Sequence, residues 1–314
     1  MSDKFTGEKT IPLKTKLLDC WISYLGAVTT LLRSRGIKCD LTEVAGMSGY
    51  AFIVNIHPEL LPTGPVAFDW EVLVEGTQAL GIQTELVAVE LSDNEAELYQ
   101  ELFLRVREEI DENRCCIIWG AGDGPEFNLV CGYCDDAYVV LKSNGNRLVR
   151  YDRLKAIWRL AGVFFGEPVA VERKGAERKA ILRAVKLLQG MAPCFDAEYH
   201  SGFKAFQTWA ELVKAGRADN YGFIYNLMCY YELQMFAAGF CARLASRHQK
   251  IAVQLKNAAK FFQWSFENLK QIKDIAPEPD EQFPNPDQIS KLLKECAELN
   301  SQAVQELERA LSLV

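Results

Sequence analysis

The sequence lacks the long apolar run of a membrane-spanning helix, and it lacks an excess of basic residues. No stretch of its 314 residues approaches the roughly 20 consecutive apolar residues that a bilayer crossing requires. The first ten residues are polar and charged, so no apolar secretory signal is visible there. The formal net charge is -7, whereas a general nucleic-acid binder needs clustered Lys and Arg. We therefore expect a cytoplasmic protein that binds neither nucleic acid nor membrane.

Histidine is scarce and the familiar catalytic motifs are missing. The three histidines are His57, His200 and His248, and none belongs to an H-E-x-x-H zinc motif. A Gly-rich phosphate loop, a serine elbow and an internal repeat are missing as well. These absences argue against a zinc peptidase, a nucleotide enzyme and a serine hydrolase, and we expect no cofactor.

The ten cysteines are scattered along the chain, and most lie within apolar patterns, where a thiol behaves as a small hydrophobe. Cys131 and Cys134 have the C-x-x-C spacing of zinc knuckles and redox proteins, but a second pair does not follow. The sequence therefore predicts reduced thiols, with neither a disulfide framework nor a metal site.

One cysteine stands where a loop becomes a helix. Leu25, Val28, Leu31 and Leu32 recur at helical spacing and predict a helix over residues 20–35, which Gly36 ends. The unpaired backbone N–H groups of a helix N-terminus favour a thiolate, which gives Cys20 a chemical reason for its position. The alternative is that Cys20 fills the core beside Trp21 and Leu25.

The remainder of the first half predicts a sheet with helices. Long amphipathic periodicity over residues 93–113 indicates a helix, and the segment 152–160 is predicted as a second one. Residues 134–136 are predicted to form a hairpin turn. Strand-like patterns cover residues 82–89, 115–119, 127–133, 137–141, 147–151 and 162–165. Helices followed by an antiparallel sheet make this half an α+β domain.

Strand signals vanish after a charged stretch at residues 171–175, and the rest is helical. We predict two domains, residues 1–172 and residues 176–314, the second an all-α bundle of about five helices. Its long aromatic segment, residues 221–247, is apolar on most sides and is predicted as the central helix. Apolar faces on the last helices permit a homodimer.

Residues 10–172 resemble the papain-like cysteine peptidase superfamily, in the bacteriocin-processing-peptidase-like branch that includes the N-terminal domain of butirosin biosynthesis protein H. The resemblance rests on the helix after Cys20, on the Gly-rich turn at residues 46–52 and on the strand segment Leu129-Val130-Cys131-Gly132-Tyr133. A helical partner domain also accompanies this branch.

The resemblance implies a catalytic Cys at a helix start, a His opening the strand that ends in Gly-Tyr, an Asp or Asn that orients the His, and a Gln upstream of the Cys. Cys20 matches the first of these positions. Glu126 or a neighbour stands where the His is expected, no Gln precedes Cys20, and Asn144 is the candidate for the third position. His57 or His200 would have to replace the missing His, although no spacing supports either.

These departures leave two hypotheses. A cysteine peptidase needs a base and an acid near neutral pH, which imidazole provides and an ordinary carboxylate does not. We therefore expect a degenerate papain-like protein that binds a peptide or small metabolite in the cleft between its domains. The alternative is a cysteine-dependent acyltransferase or an amide or thioester hydrolase with Cys20 as nucleophile, helped by Glu126 and Asn144. The candidate ligand-binding residues are Trp21, Tyr50, Asn128, His200 and Trp209.

Overall fold

The computed structural model describes residues 5–91, 95–191, 197–276 and 285–313, and these form an α+β architecture as the sequence predicts. The strands within these ranges are β1 (Glu8–Thr10), β2 (Asn55–Ile56), β3 (Ile82–Glu90), β4 (Cys116–Trp119), β5 (Phe127–Cys134), β6 (Ala137–Lys142), β7 (Gly145–Arg150), β8 (Arg159–Pro168) and β9 (His200–Ser201). The helices are α1 (Ser23–Ser34), α2 (Leu41–Ser48), α3 (Glu71–Gln78), α4 (Glu95–Asp111), α5 (Arg173–Leu188), α6 (Ala205–Lys214), α7 (Asn220–Arg247), α8 (Ala252–Asp274) and α9 (Pro286–Ser312).

The chain divides into two compact units. The first consists of Met1–Val44 and Leu80–Ala170, and the second of Ala45–Ala79 and Val171–Val314. The division within α2 assigns residues 45–79 to the helical unit, whereas the predicted boundary at residues 172–176 assigned them to the first domain. Which segments fold independently stays a prediction.

The first unit is built on a seven-stranded antiparallel sheet. Its strand order is β3-β8-β4-β5-β6-β7, and β1 pairs with the C-terminal part of β5. The predicted hairpin turn between β5 and β6 is confirmed, since Cys134 pairs with Ala137 and Asp135 has a positive φ of 49°. The sheet has an irregularity in its β5–β6 register between Val130 and Gly132.

Two helices cover the two faces of this sheet. Phe103, Val106 and Ile110 of α4 are completely buried against residues such as Ile118 of β4. Burial of each of these side chains stabilises the folded state by about 1.5–3 kcal/mol. Trp119 follows Ile118 and therefore points to the opposite face, where its cross-strand partner is Phe127. The Phe127 ring packs edge-on against Tyr24 of α1 with centroids 5.2 Å apart, so α1 lies on this second face.

The predicted helix over residues 152–160 is wrong. Only a 3₁₀ turn at Tyr151–Arg153 forms, and β8 begins at Arg159. The backbone groups of this segment bond elsewhere: the Lys155 N–H donates to the Gly120 carbonyl (2.8 Å), and the Ile157 carbonyl accepts from the Trp119 indole (3.3 Å). Trp158 has a positive φ of 61°, which a helix does not allow.

The second unit is the predicted helical bundle. Within it α7 packs against α8, α8 against α9, and α9 against α5 and α6. The prediction that α7 is buried on most sides is confirmed by its many buried side chains, among them Phe223, Tyr230 and Phe240. Its predicted central place is wrong, because α9 is the helix that contacts α5, α6 and α8. Asp219 caps α7 by accepting a hydrogen bond from the Gly222 N–H (2.7 Å). None of the helices in the described part of the chain has both the length and the apolar character that a membrane crossing requires.

Candidate functional site

The N-terminal end of α1 is joined to the start of β5. The Ser23 hydroxyl, in the first helical residue, accepts a hydrogen bond from the Phe127 backbone N–H (3.0 Å). Because Phe127 is the first residue of β5, the segment before α1 and the loop before β5 lie at the same end of the first unit. The candidate residues Cys20, Trp21 and Glu126 belong to these two segments.

Cys20 precedes the helix rather than opening it. The helix begins at Ser23, three residues later than predicted, with Ile22 as its N-cap. The segment before it is held along the helix: the Leu18 N–H donates to the Thr30 hydroxyl (3.0 Å), and a Cβ at Gly26 would lie 2.4 Å from the Leu18 carbonyl oxygen. Only glycine permits this approach, which fixes the Cys20 backbone beside the first turns of α1.

The thiol of Cys20 is partly buried, and the next side chain is exposed. Trp21 is 44% exposed, which makes it the most exposed indole among the described residues. Most other cysteines are shielded: burial raises the pKa of Cys115 and Cys241 to about 12 and that of Cys39 and Cys131 to about 11. Those four thiols stay protonated, and therefore weakly nucleophilic, at neutral pH.

Glu126 occupies the position before β5, where the family resemblance implies a histidine. Its backbone closes the loop from β4, because the Gly120 N–H donates to the Glu126 carbonyl (2.8 Å) and the Glu126 N–H donates to the Gly124 carbonyl (2.9 Å). Gly120 has a positive φ of 77°, and a Cβ there would lie 2.4 Å from the Ala156 nitrogen. Glu126 is therefore a half-buried residue whose backbone is held by two hydrogen bonds.

Asn128 joins this loop to β6. Its side-chain NH₂ donates to the Glu126 carbonyl (2.9 Å), and its Oδ1 accepts from the Lys142 ammonium (2.7 Å). Asn128 is buried, and both ends of its amide are engaged by the protein, so it positions its neighbours. Lys142 is thereby brought to the end of the sheet that carries Glu126, although no sequence pattern marks it as a candidate.

Asn144, the predicted third catalytic residue, lies in an exposed turn. Lys142 pairs with Gly145, so Ser143 and Asn144 form the two-residue turn between β6 and β7. The β5–β6 register pairs Val130 with Val140. When this register is continued for four residues beyond that pair, position 126 lies opposite position 144. The sheet thus brings Asn144 to the same end as Glu126.

The other predicted ligand-binding residues belong to the second unit. Tyr50 and Trp209 are completely buried there: the Tyr50 hydroxyl donates to the Pro65 carbonyl (2.9 Å), and the Trp209 ring packs edge-on against Phe223 at 5.4 Å. Neither side chain offers exposed surface to a ligand in this structure. His200 is exposed in β9, with its Nδ1 2.5 Å from the Thr208 hydroxyl oxygen.

The histidines are all in the second unit. The buried His57 accepts a hydrogen bond from the Glu59 N–H at Nδ1 (3.1 Å) and therefore carries its proton at Nε2, which lies 3.1 Å from a Glu198 carboxylate oxygen. His248 contacts Glu177 through Nε2 (2.6 Å). The first unit, which contains Cys20, has no histidine in its sequence and so has no imidazole base or acid of its own.

A search of protein-family models finds no match for this chain, and a search of curated proteins finds none either. The papain-like resemblance therefore stays a prediction from the residues. Among the described residues, no group of three or more His, Cys, Asp or Glu side chains is arranged to hold a metal ion.

Proposed function

We propose that this chain is a degenerate papain-like protein whose first unit binds a peptide or a small amino-acid-like metabolite without cleaving it. The binding surface consists of Trp21, Glu126 and Lys142, which we call the α1–β5 surface. The observation that carries the proposal is the Ser23–Phe127 hydrogen bond, because it joins the helix after Cys20 to the strand after Glu126. A papain-like site is built on such a junction, and here a carboxylate replaces the base.

The chemistry of the surface supports binding rather than catalysis. An ionised carboxylate does not protonate a leaving amine at neutral pH, and its negative charge opposes formation of a thiolate nearby. The same groups suit recognition: the Glu126 carboxylate accepts N–H donors, the Lys142 ammonium attracts a carboxylate or carbonyl oxygen, and the exposed Trp21 indole supplies an apolar plane. A zwitterionic peptide or amino-acid derivative matches this set.

The alternative is an acyltransferase or an amide or thioester hydrolase with Cys20 as its nucleophile. The partly buried thiol beside the start of α1 favours it, and transfer from a thioester needs no acid for the leaving thiolate. The lack of a histidine in the first unit argues against it.

Tryptophan fluorescence tests the binding proposal. The full chain is titrated with pools of a positional-scanning tripeptide library, and the same titration is made with Trp21→Phe and with the control Trp264→Phe. Trp264 is 39% exposed on α8 of the second unit, so the two indoles are comparably accessible. We expect at least one pool to give a saturable change that Trp264→Phe keeps and Trp21→Phe loses.

Chromatography of the same mixtures measures cleavage, and we expect the peptides to be recovered intact. A failure of every pool to give a saturable signal, or a signal equal in Trp21→Phe and the parent chain, would reject the α1–β5 surface as the binding site.

A further inference from the structure

A second candidate ligand site lies in the helical unit, in a groove between α3 and α5. The groove has a volume of about 250 Å³ and is lined by Val72, Glu75, Lys179, Leu182, Arg183, Lys186, Leu187 and Met191. Sites for drug-sized ligands begin at about 300 Å³, so this groove suits a smaller molecule. All of its lining residues belong to the second unit, whereas the residues of the α1–β5 surface belong to the first.

The floor of the groove is apolar and partly open to solvent. Leu182 is 39% exposed and Met191 is 66% exposed, although both are large apolar side chains. Leu187 completes the floor from the buried side of α5. Such a surface gains free energy when an apolar group covers it.

Three cations surround this floor. Lys179, Arg183 and Lys186 recur at the i, i+4 and i+7 positions of α5 and therefore share one face of the helix. One carboxylate, Glu75, lines the same groove, which leaves two positive charges in excess in a chain with net charge -7. Within the described residues, neither Lys179 nor Lys186 forms an ion pair.

Arg183 is held in place at the edge of the floor. Its side chain is 13% exposed, its Nη1 donates to the Met47 carbonyl (3.0 Å), and its Nη2 lies 3.6 Å from a Glu75 carboxylate oxygen. Burial lowers the pKa of the Arg183 guanidinium, since the largely exposed Glu75 compensates only part of the desolvation. Gly49, with φ of 88°, permits this packing, because a Cβ there would lie 2.6 Å from the Arg183 Cδ.

We infer that this groove binds a small amphipathic anion, with its anionic head group among Lys179, Arg183 and Lys186 and its apolar tail on Leu182, Leu187 and Met191. Inorganic phosphate does not use the apolar floor, and a neutral hydrocarbon does not use the cations. A medium-chain carboxylate uses both, and decanoate is the simplest probe of this class.

Isothermal titration calorimetry of the full chain at pH 7 tests the inference. Decanoate, below its micellar concentration, is compared with decanol, which has the same tail without charge, and with decyltrimethylammonium, which has the opposite charge. We expect saturable binding of decanoate, at least tenfold weaker binding of decanol, and no binding of the cation.

The double variant Lys179→Gln, Lys186→Gln tests the location of the site. Both side chains are exposed, so the variant is expected to fold, and it should bind decanoate about tenfold more weakly. The control is Lys256→Gln, Lys270→Gln on α8, which removes the same charge from the same unit outside the groove and should bind as the parent does.

Three results would overturn the inference. The first is equal binding of decanoate and decanol, and the second is an unchanged affinity in Lys179→Gln, Lys186→Gln. The third is saturable binding of an acidic amphipathic helical peptide without any binding of decanoate, which would assign the groove to a protein partner.

Discussion

The Ser23 hydroxyl accepts a hydrogen bond from the Phe127 backbone N–H at 3.0 Å, and this single contact joins the first residue of α1 to the first residue of β5. It fixes the relative positions of the segment that contains Cys20 and Trp21 and the loop that ends at Glu126. The ring contact of Tyr24 with Phe127 lies beside this hydrogen bond and joins the same two elements.

Ser23→Ala should destabilise the first unit by about 1–2 kcal/mol, because the partly buried Phe127 N–H loses its acceptor. Urea unfolding followed by circular dichroism measures the change. The control is Ser34→Ala in the last turn of the same helix, where the exposed hydroxyl bonds only to the Leu31 carbonyl, and a loss below about 0.5 kcal/mol is expected there. Equal losses in the two variants would show that the junction is not a stabilising contact.

Asn128→Ala should weaken peptide binding more than Asn144→Ala. The Asn128 amide holds both the Glu126 carbonyl and the Lys142 ammonium, so its loss frees two parts of the α1–β5 surface. The Asn144 side chain lies in an exposed turn outside that surface. Titration with the peptide pool that binds the parent chain measures both, and we expect a loss of about tenfold for Asn128→Ala and no change for Asn144→Ala. A larger loss in Asn144→Ala would show that the β6–β7 turn contacts the peptide and would contradict the positioning role of Asn128.

The β5–β6 hairpin illustrates what the sequence predicts and what it does not. Two strand-like runs and the turn at residues 134–136 predict both strands, and both are present. With regular pairing from that turn, Asn128 would face position 143. The irregularity between Val130 and Gly132 shifts the register by one residue, so that Asn128 meets Lys142 instead. Nothing in the sequence pattern marks that irregularity, so the sequence does not predict the contact of Asn128 with Lys142.

Long-range contacts account for the other differences between the predicted and the observed structure. The apolar periodicity of α7 sufficed to predict a buried helix, because burial on most sides leaves a local signal. Residues 45–79 carry no local sign that they pack with the helical unit. The sequence therefore predicts Tyr50 as a ligand-binding residue, whereas the structure buries it in the core of that unit. The segment 152–158 has a helical composition, but its hydrogen bonds go to the Gly120 loop and Trp119.

Gly49→Ala should lower the free energy of unfolding by about 2–4 kcal/mol, for two reasons. The backbone at φ of 88° is strained for alanine, and the added Cβ would lie 2.6 Å from the Arg183 Cδ and 2.9 Å from the Leu187 Cδ1. Gly216→Ala is the matched control, because φ there is 64° and nothing lies within 4 Å of the added Cβ. Gly216→Ala should lower the free energy of unfolding by about 1 kcal/mol. Chemical denaturation compares them, and equal costs would mean that the crowding against α5 is relieved without penalty.

We expect Glu177 to make the helical unit sensitive to acid. It is 1% exposed and accepts from Arg173 Nε (2.7 Å), Arg247 Nη1 (2.7 Å) and His248 Nε2 (2.6 Å). Burial by itself would raise the pKa of Glu177. The hydrogen bonds from Arg173, His248 and Arg247 outweigh the effect of burial, so the pKa of Glu177 lies below its ordinary value of 4.5. A lowered pKa means that the charged cluster stabilises the folded state above about pH 4.5 and loses this contribution as the pH falls further.

Glu177→Gln should therefore lower the free energy of unfolding by about 2 kcal/mol at pH 7. The difference in unfolding free energy between the variant and the parent chain should shrink as the pH falls below about 4.5. Urea unfolding at a series of pH values measures it. Glu298→Gln, which removes an exposed carboxylate of α9, is expected to change stability little at any of these values. A Glu177→Gln effect that stays constant down to pH 3 would contradict the assigned charge state.

The most direct test of the central claim is intact-mass spectrometry of the full chain and of Cys20→Ala after incubation with acyl thioesters of N-acetylcysteamine at neutral pH. A nucleophilic Cys20 would attack the thioester carbonyl, release the small thiol and gain the mass of the acyl group. Because the first unit supplies a carboxylate and no imidazole, we expect no acyl adduct on Cys20 and the same background thiol release from both proteins. An adduct that requires Cys20 and passes to water or an added amine would contradict the binding role and establish the acyltransferase or hydrolase.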